Sequence, residues 1–437
     1  MSNKALKFNL RNIKQLLKLP VLSWALYDFA NTSFAIVIIT IVFPVFFTNV
    51  IAPENLYGRN FGDLMWGVAS GISMLVAAFF APIFGAIADS SKSKRRFLTI
   101  LTCVSILFVF LLYFTGTGTL LYAMLIFIVA NIFYQISMMF YNSFLPELSD
   151  KSNVGFISGF GFALGYMGGF FALLMIYPFL GRGLEADNIA YLKLTFILTA
   201  LYFLIFSLPS FLFLKDKASD LDKNLLLRKE SYIKLGFRRL SVTFRGMKEN
   251  KNLIRFLVAF FLFSNAFSIL AAFAAIYARN TLSLSLKEIA FLFILGHFPT
   301  IISSVFFGWL VDKIGSKTVI IVTLLLWSVV IILITTINLK VVFYIVYILA
   351  SVITGSTLIA SRSLMSFLTP YNREAEYFSF YSIGGKFSAI LGPVVFGLIS
   401  YFTKNQKIAL LSTLAFLIGG LAVVSMVKIP HERKKLE

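Results

Sequence analysis

The chain has a single cysteine, Cys103, among 437 residues, and it lies in an apolar run. A disulfide framework and a cysteine-based metal cluster are therefore excluded. Charge is scarce too. Asp, Glu, Lys and Arg make up 13% of the residues, against about 25% in an ordinary soluble domain. The two histidines, His297 and His431, build no metal site, and neither metal nor cofactor is expected. There is no Gly-rich phosphate loop of Walker type and no nucleophile elbow, so no enzymatic activity is expected. Acidic residues are the rarer sign, 19 against 39 Lys and Arg, which leaves a net charge of +20. That sign suits nucleic acid, but the placement of the charges, below, argues for membrane topology and against a nucleic-acid partner.

What is abundant is apolar surface, 59% of the residues. A soluble protein of this composition would expose large adhesive patches; a bilayer hides them. A hydrocarbon core of about 30 Å takes about 20 apolar residues to cross as a helix. Such runs fall near 22–50, 64–88, 97–115, 119–142, 155–180, 191–214, 253–279, 288–311, 318–337, 341–365, 377–402 and 407–428, here spans 1 to 12. Backbone groups in lipid must be satisfied within the segment, so each run is expected to be a helix. The first run is too long for a signal-peptide core and lacks a small-residue cleavage site, so no cleaved leader is expected.

With the N-terminus inside, the inner segments hold 28 Lys and Arg and the outer loops 8. That asymmetry places both termini in the cytoplasm. The stretch 215–252 carries eleven basic and five acidic residues and interrupts the hydropathy. The chain thus divides into an amphipathic N-terminal segment (1–20), a six-helix bundle (21–214), a cytoplasmic linker (215–252), a second six-helix bundle (253–428) and a tail (429–437). Leu6, Leu10, Ile13 and Leu17 share one face among Lys4, Lys7, Arg11, Lys14 and Lys18. Leu235, Leu240 and Phe244 stand among Lys234, Arg238, Arg239 and Arg245. Both stretches suit a helix lying on anionic headgroups.

The halves repeat at an offset of 223 residues. Gly85 and Asp89 match Gly308 and Asp312, Ser143-Phe144-Leu145 matches Ser366-Phe367-Leu368, and Gly161 and Gly169 match Gly384 and Gly392. Parallel six-helix repeats about an axis along the membrane normal are a transporter architecture. The expected fold class is an all-α membrane protein with twelve transmembrane helices in two six-helix bundles.

Gly308-Trp-Leu-Val-Asp312-Lys313-Ile-Gly315-Ser-Lys317 resembles the cytoplasmic loop signature of the major facilitator superfamily. Gly85-Ala-Ile-Ala-Asp89 with Lys92, Lys94, Arg95 and Arg96 is a looser copy. Three longer stretches resemble one narrower family. They are Trp24-Ala-Leu-Tyr-Asp28-Phe-Ala-Asn31; Asn142-Ser-Phe-Leu-Pro146-Glu147 with Gly159 through Gly169; and Ser361-Arg362-Ser-Leu-Met365 through Arg373-Glu374-Ala-Glu376 to Gly385-Lys386 and Leu391-Gly392-Pro393. Together they are similar to the family of the autophagy-related vacuolar amino-acid effluxer and its bacterial relatives. The resemblance implies the major facilitator fold and secondary transport. Fungal members of that family are linked to amino-acid efflux. The short linker and tails look bacterial, which implies a bacterial cytoplasmic (inner) membrane.

In the superfamily, helices 1, 4, 7 and 10 line a central cavity, 2, 5, 8 and 11 flank it, and 3, 6, 9 and 12 face lipid. The deep ionisable residues here are Asp28 in span 1, His297 in span 8, Arg362 in span 10 and Lys386 in span 11. A charge at mid-bilayer costs about 2.5–3.5 kcal/mol on insertion scales, so such groups are expected at a cavity or a partner. Trp24, Asp28, Asn31 and Ala35 follow steps of four, three and four, as do Asn131, Gln135, Met138 and Asn142. Each set shares a helical face. Asp28, Asn31, Tyr27, Asn131, Gln135, Asn265, His297, Arg362 and Lys386 are the candidates for substrate binding or coupling. The same polar groups could instead hold helices together. Asp89, Arg95, Glu147, Asp312, Lys317, Arg373 and Glu374, near the inner ends, are candidates for a gate or latch. Asp28, Arg362 and Lys386 are expected to share one charge-balanced site, with Asp28 as the protonatable switch.

The function expected is secondary active transport of a small polar solute, a zwitterion or anion such as an amino acid, by a monomer in the lipid bilayer with protons as the coupling ion. The alternative is a membrane sensor or lipid-handling protein on the same fold.

Overall fold

The computed structural model describes residues 16, 18–90, 93–149, 154–216, 250–337, 339–369 and 374–428. The N-terminal amphipathic segment, the central linker and the tail lie essentially outside the described residues. The described chain forms twelve long helices and no strand. They are α1 (Leu19–Ile51), α2 (Phe61–Ser90), α3 (Lys94–Leu111), α4 (Leu120–Ser143), α5 (Val154–Ile176), α6 (Ile189–Phe213), α7 (Lys251–Asn280), α8 (Leu286–Ile314), α9 (Ser316–Thr336), α10 (Lys340–Leu368), α11 (Glu374–Thr403) and α12 (Gln406–Ser425). All except α8 contain a stretch long and apolar enough to cross a membrane among the described residues. At 29 residues α8 has the length as well.

Exposed apolar side chains girdle the molecule. Leu121 is 80% exposed and Phe402 75%, a surface that lipid covers and water does not tolerate. Several helices overrun the apolar runs that announced them. The second run starts only at 64, yet α2 begins at Phe61 and carries Asp63 into the protein.

α1 departs from regular α-helix. Phe34–Ile41 and Phe47–Ile51 wind as π-helix around Pro44. Pro44 has no N–H to offer the carbonyl of Thr40. Widened turns re-satisfy the freed groups, which is how prolines are tolerated in spanning helices. The Thr40 hydroxyl in turn donates to the Ala35 carbonyl at 2.9 Å.

The packing repeats with a six-helix period. α1 lies against α5 and α6 as α7 lies against α11 and α12; α4 meets α2 and α3 as α10 meets α8 and α9; α3 meets α6 as α9 meets α12. The two halves join where α2 lies against α11, α1 against α7 and α5 against α8. One face of the molecule holds the start of α1 and the end of α12. The other holds the turns from α1 to α2 and from α11 to α12.

Candidate functional site

The glycines of α5 let α1 approach closely. A Cβ on Gly161 would meet the Trp24 ring at 2.7 Å, and one on Gly165 would meet Asp28 Oδ2 at 2.9 Å. A Cβ on Gly168 would strike the backbone of Phe29. Small residues do this between membrane helices generally. Trp24 is held flat on Tyr141, with ring centroids 4.8 Å apart, and its Nε1–H donates to the Tyr141 carbonyl at 3.0 Å. Asp28 lies one turn further along. Its Oδ1 accepts from Asn31 Nδ2 at 3.1 Å.

Several expected cavity residues turn inward to their own half. Tyr27 is fully buried, and its hydroxyl bonds Thr102 on α3 at 2.7 Å and Ser137 on α4 at 3.0 Å. It belongs to the core of the N-terminal half, which corrects its placement at the cavity. Asn31 is 3% exposed and also donates to the Tyr27 carbonyl. Asn131, 3% exposed, donates to Ser73 on α2 at 2.7 Å, and Gln135 donates to Asn131 at 3.4 Å. Asn265 is buried, donating to the Phe261 carbonyl at 2.6 Å and to Ser388 on α11 at 3.4 Å. In this conformation these amides join helices within a half. Helical spacing shows that residues share a face and leaves open which neighbour meets that face.

His297 lines a cavity of about 330 Å³ walled mainly by the C-terminal half, with Thr300, Trp327, Tyr347 and Ser351, and closed by Thr40 and Tyr166 of the N-terminal half. Its Nδ1 bonds the Phe293 carbonyl at 2.6 Å, and Tyr166 of α5 meets it edge-on, with centroids 6.0 Å apart. The cavity walls are mainly aromatic and aliphatic, with no Asp, Glu, Lys or Arg among the described residues that line them. Trp327 lies on α9, a helix expected to face lipid.

The expected union of Asp28, Arg362 and Lys386 is not assembled in this conformation. None of the three makes an ion pair among the described residues. Arg362 instead stacks its guanidinium 5.0 Å from the Phe162 ring of α5. Lys386 is half-buried on α11.

Sequence reasoning missed Asp63. It is 1% exposed, and its Oδ2 accepts from Ser400 Oγ at 2.6 Å and from Gln406 Nε2 at 2.7 Å. Both donors belong to the other half. On the same face Asn60 donates to the Ser400 carbonyl at 3.1 Å, Lys404 to the Arg59 carbonyl at 3.1 Å and Trp66 to the Ala272 carbonyl at 2.9 Å. A polar vestibule of about 680 Å³ lies above them, with Asp63, Arg59, Arg279 and Lys404 in its wall. A carboxylate at the very start of an apolar run was the available signal.

The bonds described for the expected latch residues lie within their own halves. Glu147 pairs with Lys94 at 2.5 Å, tying the end of α4 to the start of α3. Arg95 donates to the Leu212 and Leu214 carbonyls at the end of α6. Lys317, at the start of α9, donates to the Ser425 and Val427 carbonyls at the end of α12, at 2.7 and 2.8 Å. Cations placed so complement the negative ends of helix dipoles. Arg373 and the side chains of Asp89, Asp312 and Glu374 lie outside the described residues.

A protein family described as vacuole effluxer Atg22 like matches residues 65–437. An uncharacterized MFS-type transporter, YxiO, of Bacillus subtilis (strain 168) is 24% identical over 93% of this chain and 94% of its own. Autophagy-related protein 22 of Yarrowia lipolytica is 27% identical over 67% of this chain, which spans about half (54%) of that longer protein. Among solved structures, a nucleoside transporter, NupG, superposes with a TM-score of 0.70 over 95% of this chain and 100% of its own at 12% identity. A D-xylose-proton symporter does so with a TM-score of 0.67 over 97% and 99% of the two chains at 15% identity. At such identities the structures share the fold.

Proposed function

Because the chain belongs to the vacuole effluxer Atg22-like family of major facilitator transporters, we propose that it moves a small polar solute by alternating access of its two halves, with protons as the coupling ion. It is an integral membrane protein, and the solute class is a zwitterion or small anion, such as an amino acid or a related metabolite. One observation carries this reading. Asp28 and Lys386 sit inside spanning helices, and neither has an ion-pair partner among the described residues. Charges held in a membrane without a protein counter-charge require water, a proton or a solute group beside them. A carboxylate and an ammonium left open in this way complement a zwitterion, and the neutral aromatic cavity by His297 accommodates its apolar portion. The family is described as vacuole effluxer Atg22 like, and the resemblance to amino-acid effluxers adds amino acids to the class by analogy.

The excess of inner Lys and Arg supports cytoplasmic termini and, with the bacterial relative, a bacterial cytoplasmic membrane. On that orientation the face pinned through Asp63 is the outer one. We take the monomer as the working unit. Counterflow in proteoliposomes is the test. Vesicles preloaded with a panel of unlabelled zwitterions and anions should take up trace amounts of the matching labelled compound. Absence of counterflow across the panel, with the protein folded and inserted, would favour a sensor or lipid-handling role.

A further inference from the structure

We propose that Asp63 is the centre of a clamp between the halves, which holds the face away from the chain ends shut and opens when the carboxylate loses its two donors. The structural part stands on its own; only its consequence for transport rests on the alternating-access reading above.

Asp63 is 1% exposed, and no cation among the described residues bonds to it. A carboxylate so placed is unfavourable unless strong hydrogen bonds replace its water. Both replacements come from across the interface, Ser400 from α11 and Gln406 from α12, and both converge on Oδ2. The Gln406 amide is not free to turn. The carboxylate only accepts, so Nε2 faces it, and the Oε1 on the other side accepts from Thr281 Oγ1, just past the end of α7, at 2.7 Å. Ser400 is fully buried and Gln406 6% exposed. One carboxylate thus gathers α2, α7, α11 and α12.

α2 and α11 approach closely around it. Gly397 lies against Asp63, where a Cβ would come 2.8 Å from the Asp63 carbonyl, and a Cβ on Gly67 would come 2.5 Å from the Pro393 carbonyl. Backbone meets backbone there, and side chains cross the contact where Val394 covers Gly71 and the Phe61 ring meets Tyr401 edge-on at 6.1 Å. Separation would therefore cost this packing together with the polar bonds. The vestibule of about 680 Å³, which Asp63 already lines, is where water would replace Ser400 and Gln406. The carboxylate then has two satisfied states, a dry one bonded across the halves and a hydrated one with the halves apart. Packed interfaces with two such arrangements are what switch between conformations.

The test reads distance across that face. In full-length protein carrying Cys103→Ser, spin labels are placed at Leu56→Cys and Phe402→Cys, 56% and 75% exposed and on opposite halves, and distances are measured in lipid nanodiscs. The parent should show one short-distance population. Ser400→Ala with Gln406→Leu strands the carboxylate and should raise the long-distance population about tenfold for each bond lost. Adding Asp63→Ala to that pair removes the stranded charge and should return the distribution toward the parent. An unchanged distribution in Ser400→Ala/Gln406→Leu overturns the clamp. A triple variant as open as the double one overturns it too, because loose packing and not the carboxylate would then be the cause. Should the double variant not fold, Ser400→Ala alone and with Asp63→Ala gives the same cycle at smaller amplitude. Counterflow on the same preparations separates the two readings. Distances that shift in a protein that carries no solute would retain the clamp and remove the transporter.

Discussion

The carboxylate of Asp28 rests on the bare backbone of Gly165: a Cβ there would lie 2.9 Å from Oδ2 and 3.1 Å from Cγ. The acid on α1 therefore owes its position to the absence of a side chain on α5. Gly165→Ala should push the tip of Asp28 aside, which a flexible side chain can accommodate. Stability should change little while transport falls. Gly168→Ala is the contrast, because its Cβ would strike the rigid backbone of Phe29. Overpacking of that kind costs about 1–3 kcal/mol, so Gly168→Ala should lower the thermal midpoint in detergent. Equal loss of stability in the two variants would show that Asp28 cannot move independently of the helix.

The Lys94–Glu147 pair leads to a second prediction. The side chains are 14% and 15% exposed, so solvent screens them little. Lys94→Ala would remove the Lys94 ammonium from Glu147, at a cost on the order of 1–3 kcal/mol. Lys94→Ala/Glu147→Gln should recover part of that loss. Thermal unfolding of the four proteins in the cycle decides it; a single variant as stable as the parent would show that the pair adds nothing.

Lys317 answers a question left by the motif it belongs to. Its ammonium bonds two carbonyls at the end of α12, so Lys317→Ala should lower stability by about 0.3–1 kcal/mol and leave transport rate and the balance between the two access states nearly unchanged. A variant of normal stability with altered transport kinetics would instead make Lys317 part of a latch between the halves.

How far the sequence carried depended on the kind of contact. The twelve helices were legible because hydrocarbon imposes a length and an apolar composition on each segment. The glycines of α5 were legible through their match to Gly384 and Gly392 one repeat later. Tyr27 was not. It shares α1 with Trp24 and Asp28, but its neighbours Thr102 and Ser137 lie on other helices, and nothing local to α1 announces them. Asp63 was hidden for the opposite reason. The apolar run that defined span 2 begins one residue after it, and its partners lie 337 and 343 positions away. Ion pairing failed as a guide for Asp28, Arg362 and Lys386 because cost in lipid says that a charge needs company and does not say whether protein, water or solute provides it.

The last prediction concerns those three. Asp28 and Lys386 face the solute path in the proposed cycle with no counter-charge among the described residues, so each should report on a different step. A carrier that concentrates its solute needs a group whose charge differs between its two conformations, because a proton or solute shifts the equilibrium only through differential affinity. Asp28→Asn is neutral in both conformations and keeps an acceptor for Asn31, whose Nδ2 lies 3.1 Å from Oδ1. It should therefore abolish accumulation driven by a pH gradient and spare solute exchange at equal pH. Lys386→Ala removes a cation and should raise the solute concentration needed for half-maximal exchange, by about tenfold if a charge-assisted hydrogen bond of about 1.4 kcal/mol is lost. Arg362→Lys, which keeps the charge and weakens the stacking on Phe162, should affect exchange less than Arg362→Ala. Uptake with and without an imposed pH gradient, and exchange at equal pH, measure all three. If Asp28→Asn accumulates solute as well as the parent does, the acid is a fixture of the α1–α5 contact and the coupling group lies elsewhere.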